Sequence, residues 1–189
     1  MDASKISFSK ANVENINVVK EWFEKPYIQE WWGTCDYSYN NFYDYVLYDK
    51  KVLFDHWIAY YRSEPYAYLV TSDASDETPL DYYAVEHSAE MNVPNHYIPF
   101  LEPDRATYTL DFFIGNENFL GIGFAVPTLI LFRDYLGKCG DAFLIDPECD
   151  NVKAIHVYEK AGFKIVNQYE ALEGEFKGKK HFLMKWVMK

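Results

Sequence analysis

A mixed α and β fold with a parallel strand–helix–strand unit at its centre follows from three features of the sequence. Strand-like and helix-like segments alternate along the chain, a glycine-rich turn joins one strand to one helix, and a second strand and helix follow directly. The turn lies in Asp111-Phe-Phe-Ile-Gly-Asn-Glu-Asn-Phe-Leu-Gly-Ile-Gly-Phe-Ala-Val-Pro-Thr-Leu-Ile-Leu-Phe132. Tyr108 to Ile114 is rich in aromatic and β-branched residues, which predicts a half-buried strand. Gly115, Gly121 and Gly123 allow tight turns, and Pro127 suits a first helical turn because the N–H it lacks has no acceptor there. Free N–H groups at such a helix start, backed by the positive end of its dipole, predict a phosphate site.

The remaining elements follow in order. Lys5 to Ser9 alternates as a short first strand. Asn12 is placed to cap a helix burying Ile16, Val19 and Phe23, which Pro26 ends. In Tyr27-Ile-Gln-Glu-Trp-Trp-Gly33 the adjacent Trp31 and Trp32 sit about 100° apart on a helix. One of them then faces a ligand or another segment, unless both close the bottom of the core. Asn40 to Lys51 carries Tyr43, Val46 and Leu47 at helical spacing. Phe54 to Tyr61 and Tyr66 to Thr71, joined by Arg62-Ser-Glu-Pro65, predict a hairpin. From Ser72 to Arg105 the pattern breaks down. The length of that segment and its aromatic residues predict a binding loop or lid, with short helices near Leu80 to Ala89. The helix from Pro127 is expected to end near Gly137 or Gly140. Asp141 to Ile145 is an apolar run suited to a central strand. Asp150 or Asn151 caps a helix with Ala154, Ile155 and Tyr158 on one face, and Gly162 ends it. Phe163 to Tyr169 and His181 to Met188 are the closing strands, with Gly174 and Gly178 in the turn between them.

With 189 residues the chain is expected to form one domain over 1–189, with 72–105 as a long loop region. A hydrophobic share of 49% with 19% aromatics argues against disorder. The net charge of −11, from 29 acidic and 18 basic residues, disfavours nucleic acid and anionic membrane surfaces and favours a cationic ligand. Cys35, Cys139 and Cys149 are too scattered for a disulfide framework or a zinc site, so no metal is expected. The N-terminal residues show no basic stretch followed by an apolar one, and the longest apolar run, near Phe124 to Phe132, falls short of the ~20 residues that span a bilayer. A cytoplasmic protein, monomer or homodimer, is the expectation.

Two motifs carry a resemblance. They are Leu-Gly-Ile-Gly-Phe-Ala at 120 to 125 and Asn-Val-Lys-Ala-Ile-His-Val-Tyr-Glu-Lys-Ala-Gly-Phe at 151 to 163. A Gly-x-Gly turn alone is common, but both motifs in order, separated by a helix and a strand, resemble the GNAT family of N-acetyltransferases. Leu120 stands where that family usually has Gln or Arg, and Ala125 where it has a second glycine. The resemblance implies an α+β fold, with a mixed, mostly antiparallel twisted sheet flanked by helices around a central βαβ unit that binds acetyl-CoA. It implies that Leu120, Gly121, Ile122, Gly123, Phe124, Ala125 and Val126 hold the pyrophosphate. Pantetheine would lie in a gap between the strand ending at Ile114 and the strand at Phe143, touched by Asn151. Main-chain N–H near Phe113 would polarise the thioester oxygen, and Tyr158 would protonate the departing thiolate.

Within that family the chain is similar to aminoglycoside 6'-N-acetyltransferases, through Glu-Trp-Trp-Gly at 30 to 33, Leu-Asp-Phe-Phe-Ile-Gly-Asn-Glu at 110 to 117 and Asp-Pro-Glu-x-Asp-Asn at 146 to 151. The similarity implies that Asp111 sits beside the acceptor amine and that Trp31 or Trp32 walls the sugar pocket. Tyr82 and Tyr83 stand where a tryptophan pair is expected. The chemistry is coherent, since a primary ammonium must be held by a carboxylate and then lose a proton. An aspartate in an apolar strand needs a partner in any case, either a cationic substrate or a salt bridge to Arg105 or a lysine. Two other readings remain. Hydroxylysine N-acyltransferases of siderophore pathways share the Gly-Asn-Glu-Asn-Phe-Leu-Gly lead-in. They would need a histidine near the strand of Asp111, where only His96 on an inward-folded loop could serve. A non-catalytic CoA- or metabolite-binding sensor would have little reason to keep both Asp111 and Tyr158.

Overall fold

The computed structural model describes residues 2–33, 36–48, 54–74, 97–138, 141–172 and 176–188. Among these the strands are β1 (Ile6–Lys10), β2 (Asp55–Tyr61), β3 (Glu64–Asp73), β4 (Thr107–Ile114), β5 (Ala142–Ile145), β6 (Lys164–Glu170) and β7 (Lys180–Val187). The helices are α1 (Ile16–Phe23), α2 (Pro26–Trp32), α3 (Asp36–Tyr48), α4 (Ala125–Leu136) and α5 (Val152–Lys160). The strands form one mixed sheet in the order β1-β2-β3-β4-β5-β7-β6. Only the β4–β5 pair is parallel among the recorded pairings. It is joined through α4, so the expected βαβ unit is present. No helix among the described residues is long and apolar enough to cross a membrane.

The chain folds as two compact units, Met1–Thr71 with Asp111–Tyr135 and Ser72–Leu110 with Leu136–Lys189. In the first, α1 buries Val19, Trp22 and Phe23 in a cluster with Ile28, Phe42, Ile58, Tyr68, Val70 and Phe113. Its rings meet mostly edge to face, Phe23 against Tyr68 at 5.6 Å and Phe113 at 5.4 Å, an arrangement that adds to the hydrophobic gain of burial. In the second unit β5 is buried along its whole length, as the apolar run Ala142-Phe-Leu-Ile145 requires of a central strand. Lys185 on β7 ties down the segment before β4, with its Nζ 2.7 Å from the Phe100 carbonyl and 2.5 Å from Glu102.

Some local expectations change. Asn12 caps a 3₁₀ turn, Val13–Asn15, that leads into α1. Pro26 occupies the first turn of α2, where its missing N–H costs nothing, so it opens a helix as well as following one. Helix α3 begins at Asp36, ahead of Asn40. The hairpin turn is tighter than its four-residue connection suggested. Tyr61 pairs with Glu64, and Arg62 (φ 51°) and Ser63 (φ 70°) both turn left-handed, the two-residue geometry that matches strand twist. Helix α4 ends at Leu136 without a left-handed Gly137; the Asp141 carboxylate instead accepts the Lys138 N–H at 2.8 Å. Tyr82, Tyr83, His96, Gly140, Gly174, Cys35, Cys139 and the short helices expected near Leu80 to Ala89 lie outside the described residues.

Candidate active site

The position of Asp111 is set by the register of β3 against β4. The Ala74 N–H donates to the Thr107 carbonyl at 2.7 Å, the Ser72 and Thr109 hydroxyls meet at 2.6 Å, and the Tyr68 and Phe113 rings lie 5.1 Å apart. These three contacts share one antiparallel register, which sets Val70 opposite Asp111 and turns Asp111 to the same face as Tyr68 and Phe113. Asp111 is half-buried there. The same alternation decides main-chain direction. The Thr107 carbonyl accepts from β3, and at the same two-residue period the Gly115 N–H donates to the Tyr66 carbonyl at 2.8 Å, so Thr109, Asp111 and Phe113 present N–H and C=O toward β3. The pairing of β4 with β5 is recorded only from Thr107 to Thr109.

Beyond β4 the chain turns at Gly115. A Cβ there would lie 2.0 Å from the Trp22 ring, so this glycine exists to let an indole pack on the backbone. The turn is also bolted by Tyr27, whose hydroxyl donates to the carbonyls of Ile114 (3.1 Å) and Gly115 (2.9 Å). Burial, with the Glu117 charge as a lesser cause, pushes the Tyr27 phenol up to about 12, so it stays a donor.

The motif loop follows. Leu120, Gly121, Ile122 and Gly123 are exposed between two buried phenylalanines, Phe119 and Phe124, whose rings meet at 4.8 Å. Tyr66 stacks on Phe119 at 4.9 Å, and Tyr61 meets Phe124 at 5.0 Å. The Thr128 hydroxyl donates to the Phe124 carbonyl at 2.6 Å, so at its other contact, also 2.6 Å, it accepts from Tyr66. An exposed four-residue arch is thereby clamped at both ends. Gly121 (φ +70°) and Gly123 (φ +89°) are left-handed, and among the described residues none beyond the chain neighbours comes within 4 Å of where a Cβ would stand at either. Helix α4 starts at Ala125, so its first N–H groups point out of the helix unpaired by it. An open arch of glycines before a helix start fits a pyrophosphate. Phe124 can serve it only through the main chain, because its side chain is committed to the core.

The two tryptophans divide as the helix geometry required. Trp32 meets Phe113 edge-on at 4.8 Å and Phe23 and Tyr68 at 5.9 Å, so it packs on the cluster beside Asp111. Trp31, on another face of α2, is half-buried.

The second unit carries the other motif. Asn151 caps α5, its Oδ1 accepting from the Ala154 N–H at 3.1 Å, and Gly162 (φ 95°) ends that helix. Its carbonyl oxygen is therefore spent locally, and its amide hydrogens are the part that can address a ligand. Tyr158 is buried on the inner face of α5, 6.2 Å from Phe163. Asp146, in the turn after β5, accepts from the hydroxyls of Tyr97 (2.9 Å) and Tyr169. Among the described residues no group of His, Cys, Asp and Glu gathers as a metal site would need.

Sequence reasoning did not single out Tyr27, Tyr66 or Tyr68. Their hydroxyls act across the fold, and a tyrosine in an aromatic strand carries no mark of its partner. The alternation of His56 with Ile58, and of Tyr68 with Val70, on facing strands of a predicted hairpin was the available signal.

A sequence model described as an acetyltransferase (GNAT) domain matches residues 12–171. Among solved structures, the chain is similar to an aminoglycoside N(6')-acetyltransferase from Legionella pneumophila at 27% identity and TM-score 0.73, covering 97% of this chain and 92% of that one. It also shares its fold with aminoglycoside acetyltransferase AAC(6')-Ib in complex with coenzyme A and kanamycin, at 19% identity, TM-score 0.66 and coverage of 96% and 94%. A spermidine N-acetyltransferase from Vibrio cholerae in complex with CoA and spermine matches at 13% identity and TM-score 0.66, over 98% and 96% of the two chains.

Proposed function

The chain belongs to the GNAT family and is an N-acetyltransferase, and we propose that it moves the acetyl group of acetyl-CoA onto a primary amine of a polycationic small molecule, the 6'-amine of an aminoglycoside. The observation that carries the acceptor side is Asp111, a half-buried carboxylate on an aromatic face of β4, in a protein of net charge −11. A carboxylate so placed draws an ammonium out of water and can take its proton, directly or through water.

In this reading the main-chain N–H groups of 120–126 and the start of α4 hold the pyrophosphate, and the Asn151 amide donates to pantetheine. The neutral amine attacks the thioester carbon. A main-chain N–H near Phe113 stabilises the oxyanion. As the tetrahedral intermediate collapses the C–S bond breaks, Tyr158 gives its hydroxyl proton to the leaving thiolate, and the extra proton on the attacking nitrogen passes through water to the Tyr158 phenolate, leaving a neutral amide and free CoA thiol. Trp31 lines the acceptor pocket, and Trp32 supports it from the core side. The test is thiol release from acetyl-CoA with kanamycin-like acceptors, hydroxylysine and spermidine in parallel. Fastest turnover of the aminoglycosides supports the proposal. Turnover of hydroxylysine or spermidine alone would replace the acceptor, and CoA binding with no turnover of any amine would leave a sensor.

A further inference from the structure

His56 and Tyr68 form a buried polar pair that the mechanism above does not use. His56 Nδ1 lies 2.5 Å from Tyr68 Oη, and among the described residues His56 Nε2 has no hydrogen-bond partner. His56 is 2% exposed and Tyr68 1%. Burial pushes the imidazole down to about 4, with Asp55 opposing weakly, so at neutral pH the ring is uncharged and carries one N–H. Were that hydrogen on Nε2, a buried donor would lack an acceptor. On Nδ1 it is satisfied by Tyr68, and only a lone pair goes unmet, which is the cheaper defect. Tyr68 Oη then accepts from histidine, and its own hydrogen must go elsewhere.

Register supplies the destination. His56 pairs with Val70 across β2–β3, and Val70 stands opposite Asp111, so these three make one row across three strands. Ile58, Tyr68 and Phe113 make the next row on the same face. Tyr68 is thus a diagonal neighbour of both His56 and Asp111, a spacing that long aromatic side chains bridge. The Asp111 charge acts on the Tyr68 phenol, second to burial among the causes that raise it well above its ordinary value. The other groups packed on the pair are Phe42 and Tyr45 on His56, and Phe23, Trp32, Phe42 and Phe113 on Tyr68. The nearby Asp55 carboxylate is taken by Lys10 at 2.8 Å.

We propose that His56 Nδ1–H donates to Tyr68 and that Tyr68 directs its hydroxyl hydrogen to Asp111, making Tyr68 and His56 positioning residues that hold the acceptor-side carboxylate ionised and aimed. The inference rests on the reading of Asp111 as the group that meets the acceptor. Tyr68→Phe keeps the ring packing and removes the donor. Acceptor KM should rise on the order of tenfold or more, as loss of one hydrogen bond to a charged group gives. Asp111 would then ionise at higher pH, so the acid limb of kcat/KM moves up while the acetyl-CoA Kd stays put. In wild-type protein, nitrogen-15 NMR of the His56 ring should show the Nδ1–H tautomer. An Nε2–H tautomer overturns the proposal, and so does a folded Tyr68→Phe with unchanged acceptor KM and acid limb. If Tyr68→Phe does not fold, the tautomer decides alone. If wild-type protein acetylates no amine, the reading of the reaction falls, while the tautomer still tests the direction of the bond.

Discussion

Gly115 and Gly121 lie on one short connection, yet the structure needs them for opposite reasons. At Gly115 a side chain is forbidden because Trp22 already fills its space. At Gly121 none of the described residues is in the way, and the constraint is the left-handed backbone of the arch. The strand end is a packed region whose residues answer to the core, and the arch is an exposed stretch that the proposed reading gives to the pyrophosphate. One residue type, read from sequence, hides that difference.

Substitution separates the two regions. Gly115→Ala drives a methyl into the Trp22 ring and should be the most damaging change, costing about 3 kcal/mol or more in a denaturant titration and removing turnover through misfolding. Asp111→Asn keeps the shape of the strand end and removes its charge. It should lower kcat/KM for the amine on the order of 10²-fold, with the acetyl-CoA Kd within about twofold of wild type. Tyr158→Phe should lower kcat by a similar factor with acceptor KM unchanged; full kcat in that variant would end the acid role of Tyr158.

A third effect tests the packed region through pH. His56 is uncharged in the folded protein down to about 4 but takes a proton near 6.5 when unfolded. Between those values the unfolded chain binds the extra proton. Stability is therefore full above 6.5 and is lost as pH falls toward 4, by about 2 kcal/mol at pH 5. His56→Gln should flatten that part of the stability–pH curve, and an unchanged slope would show that His56 titrates normally. Smallest of all, Gly121→Ala should cost about 1 kcal/mol of stability for its left-handed backbone, with a weaker acetyl-CoA Kd as its main effect.

The same contrast explains what could be read in advance. The arch, its helix, the Asn151 cap and the Tyr158 face follow from local rules, since glycine, proline and capping residues act within a few positions of themselves. The hairpin was foreseen, although its left-handed Arg62 and Ser63 were not, because neither residue advertises that backbone. The strand end resisted because its logic is long-range. Trp22 explains Gly115 from a distant helix, Tyr27 pins the turn from another, and the row of His56, Val70 and Asp111 exists only once three strands are in register. Choosing between Trp31 and Trp32 likewise required knowing which of them reaches Phe113.

The order of the sheet carries a consequence for how the protein is made. Strand β7 lies between β5 and β6 and pairs with both, although it follows both in the chain. During N-to-C synthesis β5 and β6 therefore emerge before the strand that separates them, and until it arrives each offers a bare hydrogen-bonding edge to the cytosol of any expression host. Such edges recruit stray strands, and pairings that close over long stretches of chain form slowly. Yield during expression is therefore expected to depend on temperature and chaperone supply more than the stability of the finished protein would suggest.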